Sequence, residues 1–390
     1  MRVDLVAAGL RALDPAGYGP EDRLLYENLK EVAESSVAAR VCRFDLWSGT
    51  SQFAGWHVVA SNFARVAPVS TESERSRALA TLSGAQAAMA AERRLLERGL
   101  DSGYTAAAPV IRAVIRQYDD LLPDDIAQSP LWAPAQRDSS PAFRGQLRAL
   151  LVDSIYPAAR AQRQFLVDVY APRARAEGSL RGQPDGVSCY AASLRAQTSV
   201  GEDLDQLMRA ARNDLDRITS DLAPLVRELT GETDVSRGVV LLRSDPRFTF
   251  ASRDSILAAY RAMTKLAESR IGRVVAGFSP ETLAVVAYPS FQERAGLPPQ
   301  YLQAALDGSR PAQVLVNLSR TERMAVANAA AHEGYPGHHL QRIAQRRASL
   351  VHPVMRSLYF GGFGEGWGIY SEQLGEEMGL YTTPLDRAGY

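Results

Sequence analysis

Three of the chain's five histidines fall in one stretch, Ala331-His332-Glu333-Gly334-Tyr335-Pro336-Gly337-His338-His339-Leu340-Gln341. A His-Glu pair followed closely by further histidines points to a metal site with its own base. Zinc in a hydrolase is held by imidazole nitrogens and a carboxylate, and keeps one position for water. A neighbouring glutamate that is not a ligand then takes that water's proton. On this logic His332 is a ligand, Glu333 is the base, and His338 or His339 is the second ligand. The alternative is a polar histidine cluster, or a helix-end cap, with no metal.

The spacing departs from the commonest zinc-hydrolase pattern, H-E-x-x-H, which sets two histidines on one helix face at i and i+4. Here Pro336 holds the i+4 position. On an unbroken helix His338, at i+6, would point about 120° away from His332, and His339, at i+7, would lie about 10 Å along the axis. Gly334, Pro336 and Gly337 supply the break that either geometry needs, because proline removes a backbone donor and glycine relaxes φ. The stretch predicts a helix carrying His332 and Glu333, a Pro-Gly distortion, and a helix resumed from about His338.

A carboxylate ligand is sought downstream. The sequence predicts a helix over 365–378, closed by Gly379. It carries Glu365, Glu372 and Glu376 at i, i+7 and i+11, one acidic stripe. Such stripes ordinarily face solvent. Glu365 is singled out as third ligand because it opens this helix beside Gly366-Trp367-Gly368 and the histidine site lacks a carboxylate. The Gly361-Gly362-Phe363-Gly364 run before it reads as a flexible break.

The elements that must position these residues are mostly helices. Strand candidates lie at 283–288 and 313–318, separated by a Pro/Gly-rich loop over 298–311. Ser319-Arg320-Thr321-Glu322 matches a capping box and is expected to open the helix that runs into His332. The strand just before it, 314–318, is expected to offer a free edge to an extended substrate. Upstream, amphipathic patterning predicts helices over 3–13, 21–43, 71–100, 106–122, 143–177 (with breaks at Pro157 and Pro172), 203–227 and 252–276, the last capped by Ser252. A short β-branched run covers 239–243. The aromatic segment 44–66, with Trp47, Trp56 and His57, reads as a core patch before it reads as a cleft lining. The reading is a mostly α-helical (α+β) fold, with residues 1–230 a helical cleft-forming region and 231–390 a catalytic region with a small β element.

Composition bounds the rest. With 46% hydrophobic and 23% charged residues, the chain is a globular protein with a sizeable core. Its net charge is zero, which argues against nucleic-acid or membrane-surface partners. No apolar run approaches the ~18 residues of a membrane span. Met1-Arg2-Val3-Asp4 opens no signal-peptide core, so the chain as given is expected in the cytoplasm, with export reserved for a longer precursor. Cys42 and Cys189 are the only cysteines. They read as two small buried hydrophobes, with a single bridge as the alternative.

The segment His332-Glu333-Gly334-Tyr335-Pro336-Gly337-His338-His339-Leu340-Gln341, followed by Glu365-Gly366-Trp367-Gly368-Ile369-Tyr370-Ser371-Glu372, resembles the bacterial domain-of-unknown-function family 885. That family is grouped with zincin-like metallopeptidases whose third ligand is glutamate. Pro184-Asp185-Gly186, Leu306-Asp307-Gly308-Ser309-Arg310-Pro311 and Val316-Asn317 add weaker likeness. The second stretch is also similar to the Glu-Gly-Phe-Ala-x-Tyr-x-Glu segment of aminopeptidase-N-like enzymes. This resemblance implies Glu365 as zinc ligand and Glu372 as a carboxylate that orients a histidine. Likeness of Gly337-His338 to the Gly-His of carboxypeptidase-Taq-like and angiotensin-converting-enzyme-like peptidases favours His338 over His339. Relatives continue past the Glu-Gly-Trp segment, so the catalytic region is expected to be C-terminally incomplete.

The expectation is a Zn²⁺-dependent hydrolase, foremost a metallopeptidase cleaving short peptides. His332, His338 and Glu365 hold the metal, with His339 as the alternative ligand. Glu333 acts as base, and Tyr370 or Tyr335 stabilises the oxyanion. Hydrolysis of a non-peptide amide or ester, or an inactive truncated binding protein, are the other readings.

Overall fold

The computed structural model describes residues 2–390 except 200, 202, 294, 295, 306, 307, 309, 349–351 and 357. Leu306, Asp307 and Ser309 of the 306–311 stretch therefore lie outside the described residues. Helices carry the fold, with one three-stranded sheet among the described residues. No described helix is long and apolar enough to cross a membrane. The chain forms two compact units, 38–192 and 1–37 with 193–390.

In the 38–192 unit, apolar faces at helical spacing bury Tyr118, Tyr170, Leu131, Leu147, Leu151 and Ile155 completely. The stretch expected as one helix over 71–100 is two, Glu72–Ser83 and Ala85–Ser102, divided at Gly84. Pro157 does not break its segment. A wide π-turn over Leu151–Ile155 leads into the helix Tyr156–Phe165 and relieves the ladder where the proline lacks a donor. The helix Trp56–Val66 buries Trp56 and His57, while Phe44 and Phe53 earlier in the aromatic segment are exposed.

The cysteine expectation is overturned. Cys42 and Cys189 form a disulfide, with Cα atoms 4.6 Å apart across a sequence separation of 147. Spacing that wide gives no sign of pairing; the fold brings the two ends of the unit together. Closing so long a loop restricts the unfolded chain strongly. Replacing Cys189 with alanine is expected to destabilise this unit by roughly 2–5 kcal/mol, measured by denaturant unfolding against wild type under oxidising conditions.

His57 supplies a second test. Its Nε2 lies 2.9 Å from Gln117 Oε1, and burial depresses its pKa to about 4. The folded state therefore holds a neutral imidazole, while the unfolded chain takes up a proton below about 6.5. Stability should fall as pH drops from about 6.5 towards 4, by on the order of 3 kcal/mol. Unfolding midpoints across that range should show the slope, and His57→Gln should flatten it.

In the other unit, Arg195 donates to both carboxylate oxygens of Glu31, at 2.7 and 2.6 Å, tying residues before 38 to those after 192. The helix Leu204–Thr230 ends at Gly231, whose φ of 79° suits glycine. The β-branched run 239–243 is not a strand. It lies in the helix Val235–Ser244, capped by Asp234, and Gly238 packs so tightly that a Cβ would sit 2.0 Å from Val226 Cγ1. Ser252 caps the helix Arg253–Arg270, as its sequence suggests.

The sheet comprises β1 (Leu283–Ala287), β2 (Gln300–Leu302) and β3 (Ala312–Val316), in the order β1-β3-β2. β1 runs parallel to β3, and β2 antiparallel. The strand expected to offer a free edge is therefore central, and both its edges are paired. The outer strand on one side is β2, which the prolines at 298 and 299 hide within an apparent loop. The capping-box expectation also fails. Ser319 Oγ donates to Asn317 Oδ1 at 2.7 Å, Glu322 bridges to Thr249, and the helix begins only at Ala325.

Candidate metal centre

The helix Ala325–Ala329 widens into a π-turn over Ala330–Gly334, passes a cis Tyr335–Pro336 peptide, and restarts at His338–Arg347. Gly337 is required at the break, since a Cβ there would lie 1.8 Å from the His332 carbonyl oxygen. This close turn brings the His332 and His338 rings edge to face, with centroids 4.8 Å apart.

His339, one position on, is turned about 100° around the helix and is fully buried. Its Nε2 donates to the Glu281 carbonyl at 3.1 Å, and its Nδ1 accepts from the Tyr301 hydroxyl at 3.2 Å. With both nitrogens engaged there, His339 lies outside the His332–His338–Glu365 cluster.

The third arm comes from the helix Gly361–Glu377, which includes the glycines expected to form a flexible break. Those glycines serve close packing instead. A Cβ on Gly364 would meet the Tyr359 hydroxyl at 2.3 Å, and one on Gly368 would meet His332 Cε1 at 2.5 Å. The Trp367 indole donates to the carbonyls of Pro336 and Gly337, at 3.1 and 3.2 Å, and Ser371 donates to that of Ala331 at 3.1 Å. This helix therefore clamps the break and delivers Glu365 to it.

Glu365 Oε2 lies 3.5 Å from both His332 Nε2 and His338 Nε2, and one ligand atom from each of the three residues falls within 4.8 Å of the others. Ligands about 2.0–2.1 Å from a tetrahedral zinc are about 3.3–3.4 Å apart, close to the two distances from Glu365, so these three residues are a possible metal-binding set. The tautomers fit as well. His332 Nδ1 is 2.7 Å from Glu372 Oε1, and an ionised carboxylate only accepts, which places the proton on Nδ1 and the Nε2 lone pair towards Glu365. His338 Nδ1 similarly faces Gln341 Oε1 at 3.3 Å. Glu376, the last member of the acidic stripe, pairs with Arg387 at 3.0 Å instead.

Electrostatics follow from position. Burial opposes charge on His332, but Glu372 and the neighbouring carboxylates outweigh it and raise the pKa. Burial, then the charge of His332, pushes His338 down. Partial burial works against Glu365, yet the Tyr359 hydroxyl, donating at 2.8 Å, and the two imidazoles hold it below the usual carboxylate range. Glu333 is pushed up to about 7, chiefly by burial. Its Oε2 accepts from the Tyr301 backbone N–H at 2.8 Å, on the outer edge of β2.

These groups line a cavity of about 670 Å³ whose walls come from residues 243–389, among them Tyr260, Tyr301, Arg320, Asn328, Arg342 and Tyr359. Tyr370 and Tyr335 are not in it. Tyr370 is half exposed and packs on Trp367, while Tyr335 is fully buried and exchanges hydrogen bonds with the Glu281 backbone. The residues that sequence reasoning missed are Tyr301, Arg342 and Tyr359. Only Tyr359 had a signal, its position six residues before Glu365.

The profile of the bacterial protein family of unknown function DUF885 matches residues 2–390. The chain belongs to the DUF885 family. No curated protein matches it. The fold of this DUF885 chain is similar to a crystal structure from Colwellia psychrerythraea described as a "putative lipoprotein", with a TM-score of 0.82 and 17% identity. The similarity covers 100% of this chain and 71% of the other.

The two glycines beside Trp367 should respond differently to a methyl group. Gly368→Ala must displace the His332 ring and is expected to cost roughly 1–3 kcal/mol. Gly366 has nothing within 4 Å of a built Cβ, and Gly366→Ala should be neutral or stabilising by up to about 1 kcal/mol. Equal effects in denaturant unfolding would contradict the packing described.

Proposed function

We propose that this DUF885 protein is a zinc-dependent metallopeptidase of the zincin-like type, acting on short peptides. The observation that carries the reading is the convergence of His332 Nε2, His338 Nε2 and Glu365 Oε2 beside a half-buried Glu333 that is outside the ligand set. Two imidazoles and a carboxylate are a donor set suited to a hydrolytic zinc. Zinc, when bound there, polarises a carbonyl and lowers the pKa of water to about 7.

The chain's own residues account for the remaining steps. Glu333 Oε2 is held by the Tyr301 N–H, which leaves Oε1 to take a proton from the attacking water and return it to the leaving nitrogen. Glu372 keeps His332 in the tautomer that offers Nε2. Pro299, Gln300 and Tyr301 border the cavity, so an extended substrate backbone would lie along β2 and not along β3. Tyr359 fixes Glu365 through Oε1 and lines the cavity, and in this reading it is the candidate oxyanion donor.

The Cys42–Cys189 disulfide and the neighbour's description as a lipoprotein support work in an oxidising, extracytoplasmic compartment.

Elemental analysis of the purified chain should give about one zinc per molecule, falling towards none in His332→Ala and His338→Ala. Glu333→Gln should keep the zinc and lose peptide hydrolysis by about 10²–10⁴-fold. Turnover surviving in Glu333→Gln would end the assignment of the base. Zinc retained in both histidine variants would end that of the ligands.

A further inference from the structure

Three arginines on the helix His338–Arg347 are placed differently. Arg346 and Arg347 both pair with Glu281. Arg342 instead lines the cavity, and among the described residues no carboxylate pairs with it. Its guanidinium donates to Gln345 Oε1 at 2.7 Å and lies 4.7 Å from the centroid of the Tyr359 ring. Both partners are neutral, so the cation is held in place with no carboxylate among the described residues in its fork. Arg320, elsewhere on the wall, already has Glu322 at 3.3 Å. A fixed, half-buried guanidinium in a concave site is a fork for a planar anion.

Its distance from the ligand set is informative. The guanidinium carbon lies 4.7 Å from the Tyr359 ring centroid and the Tyr359 hydroxyl 2.8 Å from Glu365 Oε1, which places the cation within about 10 Å of that carboxylate. An extended peptide spans about 3.3–3.6 Å per residue. An anion on Arg342 therefore lies one or two residues from a bond cleaved beside His338. The one anion that a peptide presents at that distance whatever its sequence is its terminal carboxylate.

We propose that Arg342 binds the C-terminal carboxylate of the substrate, so that the site removes one or two residues from the carboxyl end of short peptides. This rests on the peptidase reading above. The C–N bond before the leaving segment breaks, the water oxygen joins the acyl carbon, and the amine departs with a proton returned by Glu333.

The test separates binding from turnover. Zinc-loaded Glu333→Gln, which binds without cutting, is titrated calorimetrically with acetyl-alanyl-alanyl-alanine and with its C-terminal amide. The free acid should bind at least tenfold more tightly than the amide. Adding Arg342→Gln should bring the ratio to about one, and Arg342→Lys, which keeps the charge but not the fork, should give an intermediate value. Because the ligand set is intact in these variants, a preference arising from the metal alone would survive Arg342→Gln and overturn the proposal. So would equal binding of acid and amide with Arg342 present, or no binding of either up to millimolar concentration. Failure of the wild-type chain to cleave either peptide would count against the peptidase reading, while the binding ratio would still decide the role of Arg342.

Discussion

A carbonyl oxygen 1.8 Å from where a Cβ on Gly337 would sit is the tightest constraint at the candidate centre. Only a residue without a side chain lets the backbone fold back on the turn that carries His332, and only that fold brings His338 against it. The π-turn before the break and the fresh helix after it replace the one-face spacing of a regular helix. The Trp367 indole donates to the carbonyls of Pro336 and Gly337, the second of which also accepts the Gln341 backbone N–H at 3.0 Å, and so ties the break to the neighbouring helix.

Beneath the centre lies a second layer of hydrogen bonds that starts from the backbone of one residue. Glu281 receives bonds from the Tyr335 hydroxyl and the His339 imidazole at its carbonyl, while its N–H donates to Tyr335. His339 in turn holds the Tyr301 hydroxyl, and the backbone N–H of Tyr301 reaches Glu333. Glu333, the outer strand and the break in the helix are thus fixed to one another. Buried polar groups that are all satisfied in this way hold one geometry, because each alternative leaves a donor or acceptor unpaired at about 1–3 kcal/mol. Burial that raises the pKa of Glu333 is the electrostatic face of the same packing.

Much of the fold was legible where one local signal dominated. The cap at Ser252, the end at Gly231 and the strands over 283–287 and 312–316 follow propensity and punctuation. Reading failed where tertiary contacts overrode local preference. The β-branched run 239–243 is helical because Gly238 packs on Val226, and the glycines at 361–364 are helical because Gln197, Thr198 and Tyr359 lie too close for any side chain. Ser319 looked like a cap but serves Asn317. β2 is three residues long and follows two prolines, too short to carry a pattern.

At the candidate site, residue types and spacing by themselves singled out His332, Glu333 and a carboxylate on the 365–378 helix, and they required a break at 334–337. Chemistry limits which side chains hold a metal, and helical periodicity limits which can meet, so both constraints are written in the chain. The turning of His339 away from the His332–His338–Glu365 cluster, the pairing of Cys42 with Cys189, the central place of β3 and the arrival of Tyr301, Tyr359 and Arg342 were decided only by the tertiary structure. Each of these depends on residues far apart in sequence, or on a single rotation about a helix axis, and neither leaves a periodic trace in the order of the amino acids.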